Sequence, residues 1–112
     1  MQPRELARLA AQAAIDKKAE DTVILDIANQ TVVTDFFVIC TGGSKPHVQA
    51  IVDGIEEKLK LAGITPRHIE GYSKGQWVLL DYVSFVVHVF VQREREFYGL
   101  ERLWGDAEVV EL

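Results

Sequence analysis

The sequence predicts a single α/β domain, on the α+β borderline, in which a mixed sheet of about five strands is packed with helices. Three observations predict it. The 112 residues fit one domain of common size, with no repeat, linker or low-complexity stretch to divide residues 1–112. Residues 45–62 carry a strong helical repeat, with Val48, Ile51, Val52, Ile55, Leu59 and Ala62 on one stripe. Apolar runs of strand length lie between turn formers on both sides of that helix, so helices and strands alternate as α, β, β, α, β, β, β, α.

Residues 3–18 space Leu6, Leu9, Ala10, Ala13 and Ala14 as one helical face, and Pro3 suits a first turn. The stripe is thin and rich in alanine, which fits close packing on the domain rather than a place at its centre. In 22–28, Val23, Leu25 and Ile27 alternate with Thr22, Ile24 and Asp26, giving a strand with one wholly apolar face. Residues 36–40, Phe-Phe-Val-Ile-Cys, read as a strand apolar on both faces. Gly42 and Gly43 break it, and Ser44 is placed to cap the helix at 45–62, which Gly63 and Pro66 end. A short strand is expected at 65–70 and a loop at 71–75. The runs 76–82 and 85–91 form an antiparallel pair. A charged helix follows over 93–104, then Gly105 and an acidic tail at 106–112.

Twelve Lys and Arg against 17 Asp and Glu give a formal charge of −5. A phosphate-backbone binder needs clustered cations, so little direct nucleic-acid contact is expected. Hydrophobic residues at 48% and charged residues at 26% exclude disorder on composition. No apolar run approaches the ~20 residues that span a bilayer. The opening MQPRELARLA has no secretory pattern, and a cytoplasmic location is expected. With one cysteine, Cys40, neither an intramolecular disulfide nor a cysteine-rich metal site can form.

The sequence carries no complete catalytic pattern. Gly42-Gly43-Ser44 suggests a phosphate cradle at a helix N-terminus, but Lys45 is followed by Pro46 and the P-loop pattern fails. Read as a nucleotidyltransferase turn, it needs two carboxylates on the next strand to hold metal. Asp53, Glu56 and Glu57 are the nearest acids downstream, and they fall on the helix. His47, His68 and His88 show no ligand spacing, and His88 reads as a buried neutral imidazole in Val-Val-His-Val-Phe. Cys40 has no acid–base partner in view. No catalytic residue, cofactor or metal is therefore assigned.

Aromatic residues are concentrated in the last third: Tyr72, Trp77, Tyr82, Phe97, Tyr98 and Trp104, near Lys74, Asp81, Arg93 and Arg95. Aromatics with arginine are common interface anchors. If Leu80 faces the core, Trp77 and Leu79 share the opposite face of their strand. Trp77 and Tyr82 read as interface anchors or as core, and the sequence leaves both open.

The blocks Thr34–Ser44, Gly71–Tyr82, Val86–Phe90 and Arg95–Trp104, with Asp21–Asp26 ahead of them, resemble the ribosomal silencing factor family, the Iojap-like proteins. The resemblance covers roughly residues 5–106. It implies a mixed-sheet domain shaped like a nucleotidyltransferase without the catalytic carboxylates. It further implies binding to the large ribosomal subunit through ribosomal protein uL-fourteen, steric blocking of subunit joining, and repression of translation when nutrients are scarce. With the aromatic and charged cluster as the contact surface, the partner-binding residues are expected to be Tyr72, Lys74, Trp77, Leu79, Asp81, Tyr82 and Arg93, and a weak homodimer is expected to use the same exposed surface. Val83-Ser84-Phe85 departs from the glycine-plus-acid that many family members carry after Asp-Tyr. The alternative reading is a nucleotide-binding or nucleotidyltransferase-like enzyme.

Overall fold

The computed structural model describes residues 1–112. Its elements are α1 (Pro3–Asp16), β1 (Glu20–Asp26), β2 (Phe36–Gly42), α2 (Lys45–Leu61), β3 (His68–Glu70), β4 (Trp77–Asp81), β5 (Phe85–Val91), α3 (Gln92–Tyr98), α4 (Leu100–Leu103) and β6 (Glu108–Val110). The strands form one sheet in the order β3-β4-β5-β2-β1-β6. β2 and β5 run parallel, and every other neighbouring pair is antiparallel. The sheet is mixed, as expected, with six strands rather than five.

α1 and α2 cover one face. The buried side of α1 is Ala7, Ala10, Ala11, Ala13 and Ala14, so its backbone comes close to its neighbours. The bulk is supplied by α2, through Val48, Ile51, Val52, Ile55 and Leu59 against Val38, Val78, Leu80, Phe85, Val87 and Val89 of the sheet. Ser44 caps α2, its hydroxyl accepting from the His47 amide at 3.2 Å. Tyr82, expected as an anchor for a partner, belongs to this core. It is 7% exposed and stacked on Phe85 at 4.8 Å, because period-2 alternation puts it on the same side as Val78 and Leu80.

The second face is only half covered. Leu25, Ile27, Ile39 and Phe90 are buried there beneath Leu100, Trp104 and Ala107. This cover exists because the expected helix over 93–104 is in fact two. Gly99, at φ 54°, takes the left-handed conformation, ends α3 with its amide on the Arg95 carbonyl at 3.0 Å, and turns the chain into α4.

The acidic tail is also more ordered than its charge suggests. Residues 108–110 pair with β1 in the register Ile24↔Val110, Leu25↔Val109 and Asp26↔Glu108, and Val110 is buried. One inward-facing residue is enough to seat a three-residue edge strand, too faint a signal to read among acids. The short strand expected at 65–70 begins only at His68, since Pro66 has no amide to offer a ladder.

Val83 stands in the β4–β5 turn at φ 74°, where the family resemblance leads one to expect glycine. The left-handed region costs an L-residue roughly 1–2 kcal/mol, and the Asp81 carboxylate holds the turn by accepting from the Val83 amide at 2.8 Å. Val83 is largely exposed, so little packing is lost with its side chain. Val83→Gly is therefore expected to stabilise the chain by about 0.5–1 kcal/mol after the added freedom of the unfolded state is deducted. A urea midpoint that does not rise would remove the strain argument.

Candidate functional site

Alternation along β4 decides what the half-covered face displays. Val78 and Leu80 point under the helices, while Trp77, Leu79 and Asp81 point the other way. Across the ladder Trp77 stands opposite Phe90, Leu79 opposite His88 and Asp81 opposite Val86. Beside them on β2, Phe37 pairs with Val86 and Ile39 with His88.

The side chains join into one aromatic row. Tyr98, at the end of α3, lies 4.4 Å from the Trp77 ring, and Trp77 stacks on Phe90 at 5.0 Å. The Trp77 indole N–H donates to His88 Nδ1 at 3.1 Å. His88 meets Phe37 edge-on at 4.5 Å, and Phe37 meets Trp104 at 5.7 Å. Tyr98 is 45% exposed and the adjoining Phe97 76%, so the row ends in an aromatic ledge open to solvent. Arg95 secures that ledge. It is buried, donating to the Thr41 hydroxyl at 2.8 Å and to the Glu101 carboxylate at 2.8 Å, which ties α3 to the sheet and to α4.

Below Trp77 the face opens into a groove of about 330 Å³ between β4 and Trp104, floored by Phe37, Leu79, Val86 and His88. His68, Glu70 and Asp81 stand on one side and Thr31, Val33 and Thr34 on the other. Asp81 is bound into the fold. Burial alone would raise its carboxyl, but the Val83 amide and the Arg67 guanidinium at 2.6 Å outweigh that and hold it below the usual carboxylate range. His88 is displaced the other way, pushed down to about 3 by burial, and its ring is neutral.

Of the residues expected to bind a partner, this face brings together Trp77, Leu79 and Asp81. Arg93 is exposed at the start of α3, in a hollow it shares with Phe97, and Lys74 is exposed on the β3–β4 loop. Tyr72 is turned away. Its hydroxyl donates to Asp53 of α2 at 2.9 Å, which raises its phenol, and its carbonyl accepts from Gln49 at 2.8 Å. Tyr72 thus sits with the helices rather than beside Trp77, and neither it nor Tyr82 stands on this face as expected. Tyr98, Phe37, His88 and Trp104 were not among the expected site residues. The signal for Tyr98 and Trp104 was their aromaticity beside a glycine, but which way they point depends on the Gly99 break.

The Gly-Gly-Ser turn is closed on itself. The Gly43 amide donates to His47 Nδ1 at 2.8 Å, and His47 Nε2 meets the Lys17 carbonyl at 2.8 Å. β5, the strand beside it, carries His88 and no carboxylate, and Asp53, Glu56 and Glu57 lie on α2. Cys40 is buried, its thiol pushed up to about 12 by desolvation.

The fold and this face define a small α/β domain that turns an aromatic, half-covered sheet surface outward. Comparison with known proteins places it more narrowly. The family model described as "Ribosomal silencing factor during starvation" matches residues 1–112. The ribosomal silencing factor RsfS of Halalkalibacterium halodurans is 46% identical over all of this chain and 96% of its own length, and that of Bacillus subtilis 42% identical over all of this chain and 95% of its own. The chloroplastic Iojap protein of Zea mays is 33% identical over 91% of this chain and 44% of its own length. A crystal structure from Chromobacterium violaceum superposes with a TM-score of 0.91 at 36% identity, covering 94% of this chain and 88% of that one. One from Bacillus halodurans gives 0.84 at 44% identity, covering 96% and 98%. The chain belongs to the ribosomal silencing factor family. Membership makes it a regulator of translation with a ribosome-associated role, and the names its relatives carry are those of a regulatory protein. No helix is long and apolar enough to cross a membrane.

Proposed function

We propose that this chain docks its half-covered sheet face on ribosomal protein uL-fourteen of the large subunit and blocks entry of the small subunit by occupying its place. The observation that carries the reading is the aromatic ledge of Trp77 and Tyr98, held out by the Arg95 brace. A surface of aromatics with arginine at its rim is built like an interface hot spot. The formal charge of −5 suits a basic ribosomal protein, where complementary charge speeds encounter. Trp77 and Leu79 are the apolar contacts, Lys74 and Arg93 give polar register around them, and Asp81 contributes by holding Arg67 at the rim. No bond of the partner changes, and the block is steric, exerted in the cytoplasm. In a subunit-reassociation assay, saturating protein is expected to lower the yield of joined ribosomes, and an unchanged yield overturns the proposal.

The same ledge in the free protein favours a weak homodimer, because an exposed apolar patch gains by pairing. One patch cannot serve two partners, so dimer and subunit binding compete. Two acidic chains repel less as salt rises, so the dimer tightens with salt while docking on a basic partner weakens. Sedimentation velocity over a salt series is the check, and a monomer at every concentration removes the dimer.

A further inference from the structure

Two buried polar atoms along the groove below Trp77 have no partner within the chain. His88 is 3% exposed and Thr34 5% exposed, and both His88 Nε2 and the Thr34 hydroxyl lack a hydrogen bond. Both residues line the groove. A buried polar atom without a partner costs free energy, and these two line one groove, where an incoming group can supply the missing partner.

The chemistry of that partner can be read from the ring. Tryptophan's indole nitrogen only donates, so the Trp77 bond fixes His88 Nδ1 as the acceptor and puts the ring hydrogen on Nε2. His88 therefore offers a neutral N–H donor, and what satisfies it is an acceptor oxygen. Around that donor the floor is apolar, formed by Phe37, Leu79 and Val86. At the rim Glu70 forms no ion pair in the fold, while Asp81 is occupied by Arg67. The occupant thus carries an apolar side chain, a carbonyl beside it and a positive charge a short way off. A polypeptide segment supplies all three, since each residue sets a carbonyl next to its side chain. A nucleic acid does not, because its phosphates would meet Glu70.

We infer that the groove is a receptor for one apolar residue of a basic protein segment, whose backbone carbonyl accepts from His88 Nε2 and whose cation pairs with Glu70. The inference rests on the docking reading above and deepens it. The segment belongs to the same protein partner, and the groove lies next to the Trp77–Tyr98 ledge as a second, separate contact. Seating it requires the groove wall to yield slightly, since Nε2 is covered in the free chain.

The test uses the full-length chain and purified large subunits. Thr34→Val replaces the unpartnered hydroxyl with a methyl group, and it is expected to leave the melting temperature unchanged or raised while binding weakens by up to about tenfold. Glu70→Lys, a change at the rim, is expected to weaken binding with little effect on stability. Nitrogen-15 spectra of the His88 side chain provide the direct reading, with Nε2 expected to shift on addition of purified uL-fourteen. If both variants bind at wild-type strength and Nε2 does not move while the wild type still binds, the groove is empty in the complex. The inference then falls and the docking reading stands. If the wild type itself fails to bind subunits, both fall.

Discussion

Trp77→Ala is expected to leave a folded protein that binds the large subunit at least about 30-fold more weakly, the ~2 kcal/mol that removal of an interface anchor costs. The fold survives because Trp77 lies outside the main core under α1 and α2. Its contacts are with Phe90, Tyr98 and His88 on the half-covered face. The substitution removes the centre of the aromatic row and releases Tyr98 from its stacking partner, so two contacts are lost together. Circular dichroism and a urea curve establish folding, and co-sedimentation with purified subunits then measures binding. A folded variant that binds at full strength places the anchor elsewhere. An unfolded variant shows Trp77 to be an essential part of the core.

What could be read in the sequence follows from how strong each local signal is. The helix at 45–62 and the strand 85–91 were legible because their periodicities are long and uninterrupted, and the structure places α2 and β5 there. The opposed faces of β4 were legible too, because alternation alone separates Trp77 and Leu79 from Val78 and Leu80. Tyr82 stayed open between interface and core, because its aromatic character fits either and only the strand's continued alternation past Asp81 puts it beside Leu80. The position of Tyr72 depends on Asp53, 19 residues earlier on α2, and no local pattern announces such a contact. The groove is the least legible feature. It is assembled from β2, β3, β4, β5, the β1–β2 loop and Trp104 after α4, and Trp104 reaches it only because Gly99 breaks a helix that charge and spacing make continuous.

His88 links the docking face to pH. Its ordinary value is 6.5 and the folded value is about 3, because burial disfavours the charged ring. Below pH 6.5 the unfolded chain therefore takes up a proton that the folded chain refuses. Stability from this group is complete above pH 6.5 and is lost progressively as the pH falls toward 3. At a limiting slope of about 1.4 kcal/mol per pH unit, acidification from pH 6.5 to 4.5 is expected to cost about 2 kcal/mol. Acid acts on the whole chain, so the measurement is a difference. Urea unfolding is followed from pH 7.5 to 4.5 for the wild type and for His88→Gln, whose side-chain carbonyl still accepts from the Trp77 indole and does not ionise. The wild type is expected to lose stability more steeply, with the two curves diverging only below pH 6.5. Parallel curves would mean that water reaches the ring and that burial does not hold it neutral. Because Trp77 hangs on His88 Nδ1, a proton forced onto that nitrogen removes the acceptor and frees the indole. The acid loss is therefore expected first on the half-covered face, as exposure of Trp77 fluorescence ahead of global unfolding.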